Sequence, residues 1–187
     1  ENGNIKSLDS NFYVLDKMEN KLAGLFIKEK KYFYGEFDLE NNTSKQFFNI
    51  DNEIPKVILI EYIVTFNKIT KSIVCRNKNG DLQWIINRIN LLKYSPDLPE
   101  TDYLNGKLNN INNSIIIPLK GDIIVSIDLI TSKVNWVLDK IYGHGIMINV
   151  HDLFCLAGDF FTKIDSTNGI KTKNMDLSKE NNSYGIF

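Results

Sequence analysis

The sequence has little of what marks most catalytic or membrane-crossing chains. Histidine, cysteine and tryptophan each occur twice and proline four times in 187 residues. Two histidines, His144 and His151, with no spaced cysteine or carboxylate partners, do not make a metal-ligand set, and both read as surface-loop residues. Cys75 and Cys155 each sit inside an apolar, strand-like run, so they read as small buried hydrophobes and not as a disulfide framework. Charge of neither sign dominates: 22 Lys plus Arg against 23 Asp plus Glu leaves a net charge of −1. With no basic stripe either, nucleic acid is an unfavourable partner. No apolar run approaches the roughly 20 residues that a membrane-crossing helix needs. Helical hydrophobic periodicity is missing too, as are a Ser-His-Asp set, a Gly-rich phosphate loop and a paired-carboxylate motif. Asn77, Asn79 and Asp81 lack the spacing and closing Glu of a calcium loop, so turn chemistry accounts for them. The expectation is a non-enzyme with no cofactor and no metal.

What the chain does have is a repeat. Gly121 to Lys140, GDIIVSIDLITSKVNWVLDK, reads as strand, polar turn, strand, because an Asp before a Thr-Ser turn can hydrogen-bond the backbone it introduces. Sliding the chain on itself gives three further copies: FDLENNTSKQFFNI from Phe37, CRNKNGDLQWII from Cys75 and KIDSTNGIKTKNM from Lys163. The residues closing the incoming strand, Asp38, Arg76, Asp128 and Asp165, are separated by 38, 52 and 37 positions. An aromatic follows in three of the four, as Phe47, Trp84 and Trp136, and Lys173 stands there in the fourth.

Reading backwards from each turn gives four strands per copy, over residues 12–50, 56–87, 107–138 and 146–177, with partial blades at both ends. Runs such as Val57 to Ile60 and Ile115 to Ile117 are apolar on both faces, as sheets covered on both sides require; a sandwich would show cleaner alternation. The fold expectation is therefore all-β: a β-propeller segment of about four four-stranded antiparallel blades, 1–187 forming one propeller region. Pro118 should end or bulge its strand, since it cannot donate to the ladder. Both chain ends fall inside blades, so the 187 residues are expected to be part of a larger propeller, the remainder being cleaved, disordered or supplied by another chain.

IDLITSKVNW from Ile127 and RNKNGDLQW from Arg76 resemble the pyrroloquinoline-quinone-type propeller repeat: a strand ending in aliphatic-Asp, a Thr-Gly-Lys turn, then a strand with Trp. Ser132 replaces the turn Gly in the best copy, and the copy with Gly169 lacks the Trp. WD-repeat blades are an alternative architecture, without the Gly-His and Trp-Asp signature. The resemblance implies that Trp84 and Trp136 dock on the neighbouring blade's turn as inter-blade struts, and Phe47, at the corresponding place in the first copy, is expected to pack between blades.

The long separation between the second and third copies hides an insertion at 91–106, LLKYSPDLPETDYLNG. Its prolines, acids and aromatics, on a rigid scaffold, make Tyr94, Asp97, Leu98, Glu100, Asp102 and Tyr103 candidate interface residues, with His144 on the matching connection one blade later. The function expected is a protein-binding scaffold, of the assembly-factor, sensor-domain or inhibitor kind. The alternative is a domain of a quinoprotein-type oxidoreductase binding a quinone.

Overall fold

The computed structural model describes residues 11–59, 61–100, 102–104, 106–139, 145–149, 152–157 and 160–176. Among them lie sixteen strands in four antiparallel sheets, each a meander in which consecutive strands pair. Sheet 1 holds β1 (Phe12–Met18), β2 (Lys21–Lys28), β3 (Lys31–Asp38) and β4 (Thr43–Asn49). Sheet 2 holds β5 (Glu53–Ile58), β6 (Tyr62–Asn67), β7 (Ser72–Asn77) and β8 (Leu82–Asn87). After the single-turn helix α1 (Arg88–Leu91), sheet 3 holds β9 (Asn109–Ile111), β10 (Ser114–Leu119), β11 (Ile123–Asp128) and β12 (Val134–Leu138). Sheet 4 holds β13 (Gly145–Asn149), β14 (Asp152–Ala157), β15 (Phe160–Asp165) and β16 (Lys171–Asp176). The all-β expectation of four four-stranded antiparallel blades is met.

Hairpin geometry follows from side chains that tolerate a left-handed backbone. Between β2 and β3, Glu29 and Lys30 take φ of 53° and 64°. That is the two-residue arrangement whose twist matches that of the flanking strands. Asn112, Asp122 and Lys71 take positive φ in other turns.

The chain forms two compact units, Glu1–Asn87 and Arg88–Phe187. In the first, sheets 1 and 2 share a core of Ala23, Tyr34, Ile50, Ile58 and Ile63. In the second, sheets 3 and 4 share Ile111, Ile116, Ile124, Trp136, Leu153, Cys155 and Ile164. Neighbouring residues of one strand point to opposite faces, so a run buried throughout needs cover on both. Ile63 with Val64, and Ile115 with Ile116 and Ile117, are all fully buried. Each such aliphatic side chain contributes about 2 kcal/mol when removed from water. Sheet 1 carries a second cluster on its other face, where Phe12, Phe26 and Phe37 lie 4.5 to 6.4 Å apart. Gly24 and Gly35, paired across β2 and β3, make room for those rings: a Cβ on Gly35 would come within 2.5 Å of Phe26.

Pro118 neither ends nor bulges β10. It pairs with Ile124 of β11, while the ladder to β9 stops at Ile116, so its missing N–H falls beside the interrupted edge. Both cysteines are free and buried, and burial pushes the Cys75 thiol up to about 12 and that of Cys155 to about 11. No helix among the described residues is long and apolar enough to cross a membrane.

Candidate functional site

Four equivalent turns close the third strand of each sheet. Asp38 Oδ1 accepts the backbone N–H of Glu40 and of Asn41, both at 2.9 Å. Asp128 Oδ1 accepts from the Ile130 N–H at 3.1 Å, and from the Thr131 N–H and hydroxyl at 2.7 and 2.8 Å. Asp165 Oδ1 accepts the Thr167 hydroxyl at 2.6 Å and its N–H at 2.8 Å. These donors favour the ionised carboxylate and hold all three pKa values below the ordinary range. The Asn41 N–H leads for Asp38, the Thr131 N–H for Asp128 and the Thr167 hydroxyl for Asp165. In sheet 2 the capping residue is Asn77, not Arg76: Asn77 Oδ1 accepts the N–H of Asn79 and of Asp81 at 3.0 and 2.9 Å. The Asn77 N–H reaches across to Asp81 O as those of Asp128 and Asp165 reach Lys133 O and Ile170 O. The turn is one residue shorter there, which displaces the marker by one in a reading based on spacing.

Each turn ends on a left-handed residue: Asn42, Gly80, Ser132 and Gly169, with φ of 53°, 93°, 58° and 74°. Two of these receive an aromatic from the preceding sheet. Trp136 lies on Gly169, its Cδ2 2.8 Å from where a Cβ would stand, and its Nε1–H donates to Ser166 O at 2.9 Å. In the first unit Phe48 lies on Gly80, with Cβ and Cγ 2.9 Å from the corresponding point. Trp84 occupies the same ladder position as Trp136, opposite Cys75 as Trp136 is opposite Ser126, and is buried. At that position sheet 1 has Lys45 and sheet 4 has Lys173.

Phe47 is skipped by the ladder at a bulge, where Gly35 pairs with Gln46 and Tyr34 with Phe48. It packs half-buried on the core shared by sheets 1 and 2, stacked 5.7 Å from Tyr34. The residue meeting the neighbouring turn is therefore Phe48, one position later. Phe47 thus packs between the two sheets, and Phe48 went unnoticed because a bulge is not visible in spacing.

Below Gly80 lies a charged network within sheet 2. Arg76 Nη2 donates to Glu53 Oε1 at 2.8 Å, Thr65 Oγ1 to Glu53 Oε2 at 2.7 Å, and Arg76 Nη1 to Gly80 O at 3.2 Å. Burial raises the Glu53 pKa, but the bonds from Arg76 and Thr65 outweigh it and leave a net lowering. Nothing in the sequence singled out Glu53, whose partner stands 23 residues away.

The insertion is a strap and not a loose loop. Arg88 Nε donates to Leu98 O at 2.7 Å, and Nη2 donates to the same oxygen. Further on, Tyr103 O accepts the Lys120 N–H at 3.0 Å, and Leu104 bridges to Leu119, prolonging the β9 side of sheet 3. These ties correct the expectation for two candidates. Leu98 and Tyr103 are 1% and 0% exposed, so they are core residues and not interface, buried together with Leu91 and Leu108. Burial also pushes the Tyr103 phenol up to about 12. The spacing of Leu91, Leu98, Tyr103 and Leu108 in an otherwise polar stretch was the available signal. Tyr94 is half-buried beneath the Lys93 ammonium, 4.7 Å from its ring. Asp97, Glu100 and Asp102 are exposed. Asp102, at φ 57°, accepts from Lys120 Nζ at 2.8 Å, which lowers its pKa. His144 and His151 lie outside the described residues. No group of three or more His, Cys, Asp or Glu able to hold a metal ion is found among the described residues.

No protein-family model matches this chain, and no curated protein matches it in sequence. Solved structures do. Hsv2 from Kluyveromyces lactis superposes with a TM-score of 0.59 at 10% identity over 88% of this chain and 50% of that one. The computationally designed Ika8 protein gives 0.52 at 11% identity, over 88% and 61%. BamB from Moraxella catarrhalis gives 0.48 at 9% over 83% and 49%, too loose to bear on function. The chain spans about half the length of the Hsv2 and BamB chains it matches. At such identities the likeness speaks for the fold alone: an all-β, propeller-type array of four four-stranded antiparallel blades.

Proposed function

We propose that this chain is a non-catalytic β-propeller scaffold, of the pyrroloquinoline-quinone-type repeat class, that binds another protein through the outward side of the strap. The observation that supports this reading is the strap itself. Its inner side is tied to α1 through Arg88 and to sheet 3 through Tyr103 and Leu104, while Asp97, Glu100 and Asp102 stay in solvent. A segment held in one conformation before binding loses little entropy on docking, and connections on a rigid scaffold are where binding residues concentrate. The balanced net charge of −1 speaks against a nucleic-acid partner.

The test compares wild-type protein with the triple variant D97K/E100K/D102K as bait. Point charges are preferable to deletion, because removing Leu98 would open the core beneath it. Partners held by wild type and lost by the variant, at an unchanged urea midpoint, support the reading; an identical partner set overturns it. A quinone chromophore in the purified protein, or dye-linked alcohol oxidation after adding quinone and calcium, favours the oxidoreductase-domain alternative.

A further inference from the structure

Two Asn-Gly pairs occupy equivalent turns, and the structure holds their side chains differently. In both, the glycine is left-handed and its N–H is bonded within the turn, Gly80 to Asn77 O at 2.9 Å and Gly169 to Asp165 O at 2.8 Å. Both asparagines are exposed. The Asn168 carboxamide is fixed at each end: Nδ2 donates to Asp165 Oδ2 at 3.1 Å, and Oδ1 accepts the Ile170 N–H at 2.8 Å. The Asn79 carboxamide makes no hydrogen bond among the described residues; only its backbone N–H is engaged, by Asn77 Oδ1.

We infer that Asn79 is a site of spontaneous modification, the conversion of asparagine to isoaspartate, and that Asn168 is protected from it. The Gly80 backbone nitrogen gives up its proton to solvent base and attacks Asn79 Cγ. The bond from Cγ to the side-chain nitrogen breaks, and ammonia leaves. Water then opens the cyclic imide at either carbonyl, giving aspartate or isoaspartate, so the net change is water in and ammonia out. Glycine after the asparagine leaves the attacking nitrogen unshielded by a Cβ. At Asn168 the same attack first requires breaking the two bonds that hold the carboxamide.

The product matters because of where it forms. Isoaspartate puts one additional carbon into the backbone immediately before Gly80, the residue on which Phe48 rests and whose carbonyl receives Arg76. Conversion therefore loosens the seating of Phe48 between sheets 1 and 2, and places a new carboxylate next to Asp81.

Wild-type protein incubated folded at mildly alkaline pH, then digested and mapped by mass spectrometry, gives the rate at each site. Loss of the amide is expected to be about tenfold or more faster at Asn79 than at Asn168, the factor that two hydrogen bonds provide. Equal rates, or a faster Asn168, overturn the assignment. Aged wild type is also expected to melt below fresh protein, whereas N79Q, whose side chain cyclises far more slowly, keeps its melting temperature. Fully converted protein that melts like fresh protein overturns the structural consequence.

Discussion

Replacing Gly169 by alanine tests the docking of Trp136 most directly. Two costs add. A Cβ at φ 74° strains the backbone by about 1–2 kcal/mol, the penalty of the left-handed region for an L-residue. That Cβ would also stand 2.8 Å from Trp136 Cδ2 and 2.9 Å from Cε3 and Cγ, so the indole must move and Nε1–H loses Ser166 O. Losing that hydrogen bond adds about 0.5–1.5 kcal/mol. The sum is about 2–4 kcal/mol, a large part of the stability of an ordinary domain. Gly106 supplies the control: its φ is 101°, and a Cβ there meets nothing within 4 Å. G106A carries the backbone cost alone, and the difference between the two variants isolates the docking. The assay is urea unfolding followed by tryptophan fluorescence, with the slope checked for equality so that midpoints compare like with like. If G169A is no more destabilising than G106A, the indole does not bear on that turn and the reasoning is wrong.

Further outcomes follow from the same geometry. W136F keeps a ring on Gly169 but removes the donor to Ser166 O; the lost hydrogen bond should cost about 0.5–1.5 kcal/mol in the same urea assay. Glu53 has a lowered pKa in the folded protein, so its contribution is present above the unfolded value and fades as pH falls through the folded one. Urea midpoints measured from neutral to acidic pH should therefore decline less steeply below the ordinary glutamate range in E53Q than in wild type. R76A leaves the Glu53 carboxylate, only 7% exposed, without its guanidinium, and should destabilise by about 2 kcal/mol, the full-burial figure being reduced because Arg76 is 28% exposed. Ser126 Oγ is buried and has no hydrogen-bond partner among the described residues, so S126A should be neutral or stabilising by up to about 1 kcal/mol in thermal melts.

How much was legible in advance varied with the physics of each feature. The β2, β3, β7, β11 and β15 strands and the Asp-led turns were readable because they rest on local rules: alternation or continuous apolarity along a strand, and a short carboxylate accepting from the next backbone donors. Strand spacing recovered Trp84 and Trp136 as equivalent because their turns differ by a single residue. It missed Phe48 and set the cap of sheet 2 at Arg76 because a bulge and a shortened turn change register without changing composition.

The sequence alone determined the four-stranded unit, its repetition and the need of each sheet for cover on both faces. Only the tertiary structure decided what each exception does. Leu98 and Tyr103 look like surface residues among prolines and acids, yet they are buried, because Arg88 and Lys120 bond strap carbonyls that lie 10 and 17 residues away along the chain. Glu53 and Arg76 become partners across 23 residues, and Gly80 and Gly169 acquire aromatic lids from other sheets. Local propensity acts over a few residues and is written in order along the chain. These contacts depend on which strands the fold sets side by side, and a linear sequence records that only indirectly.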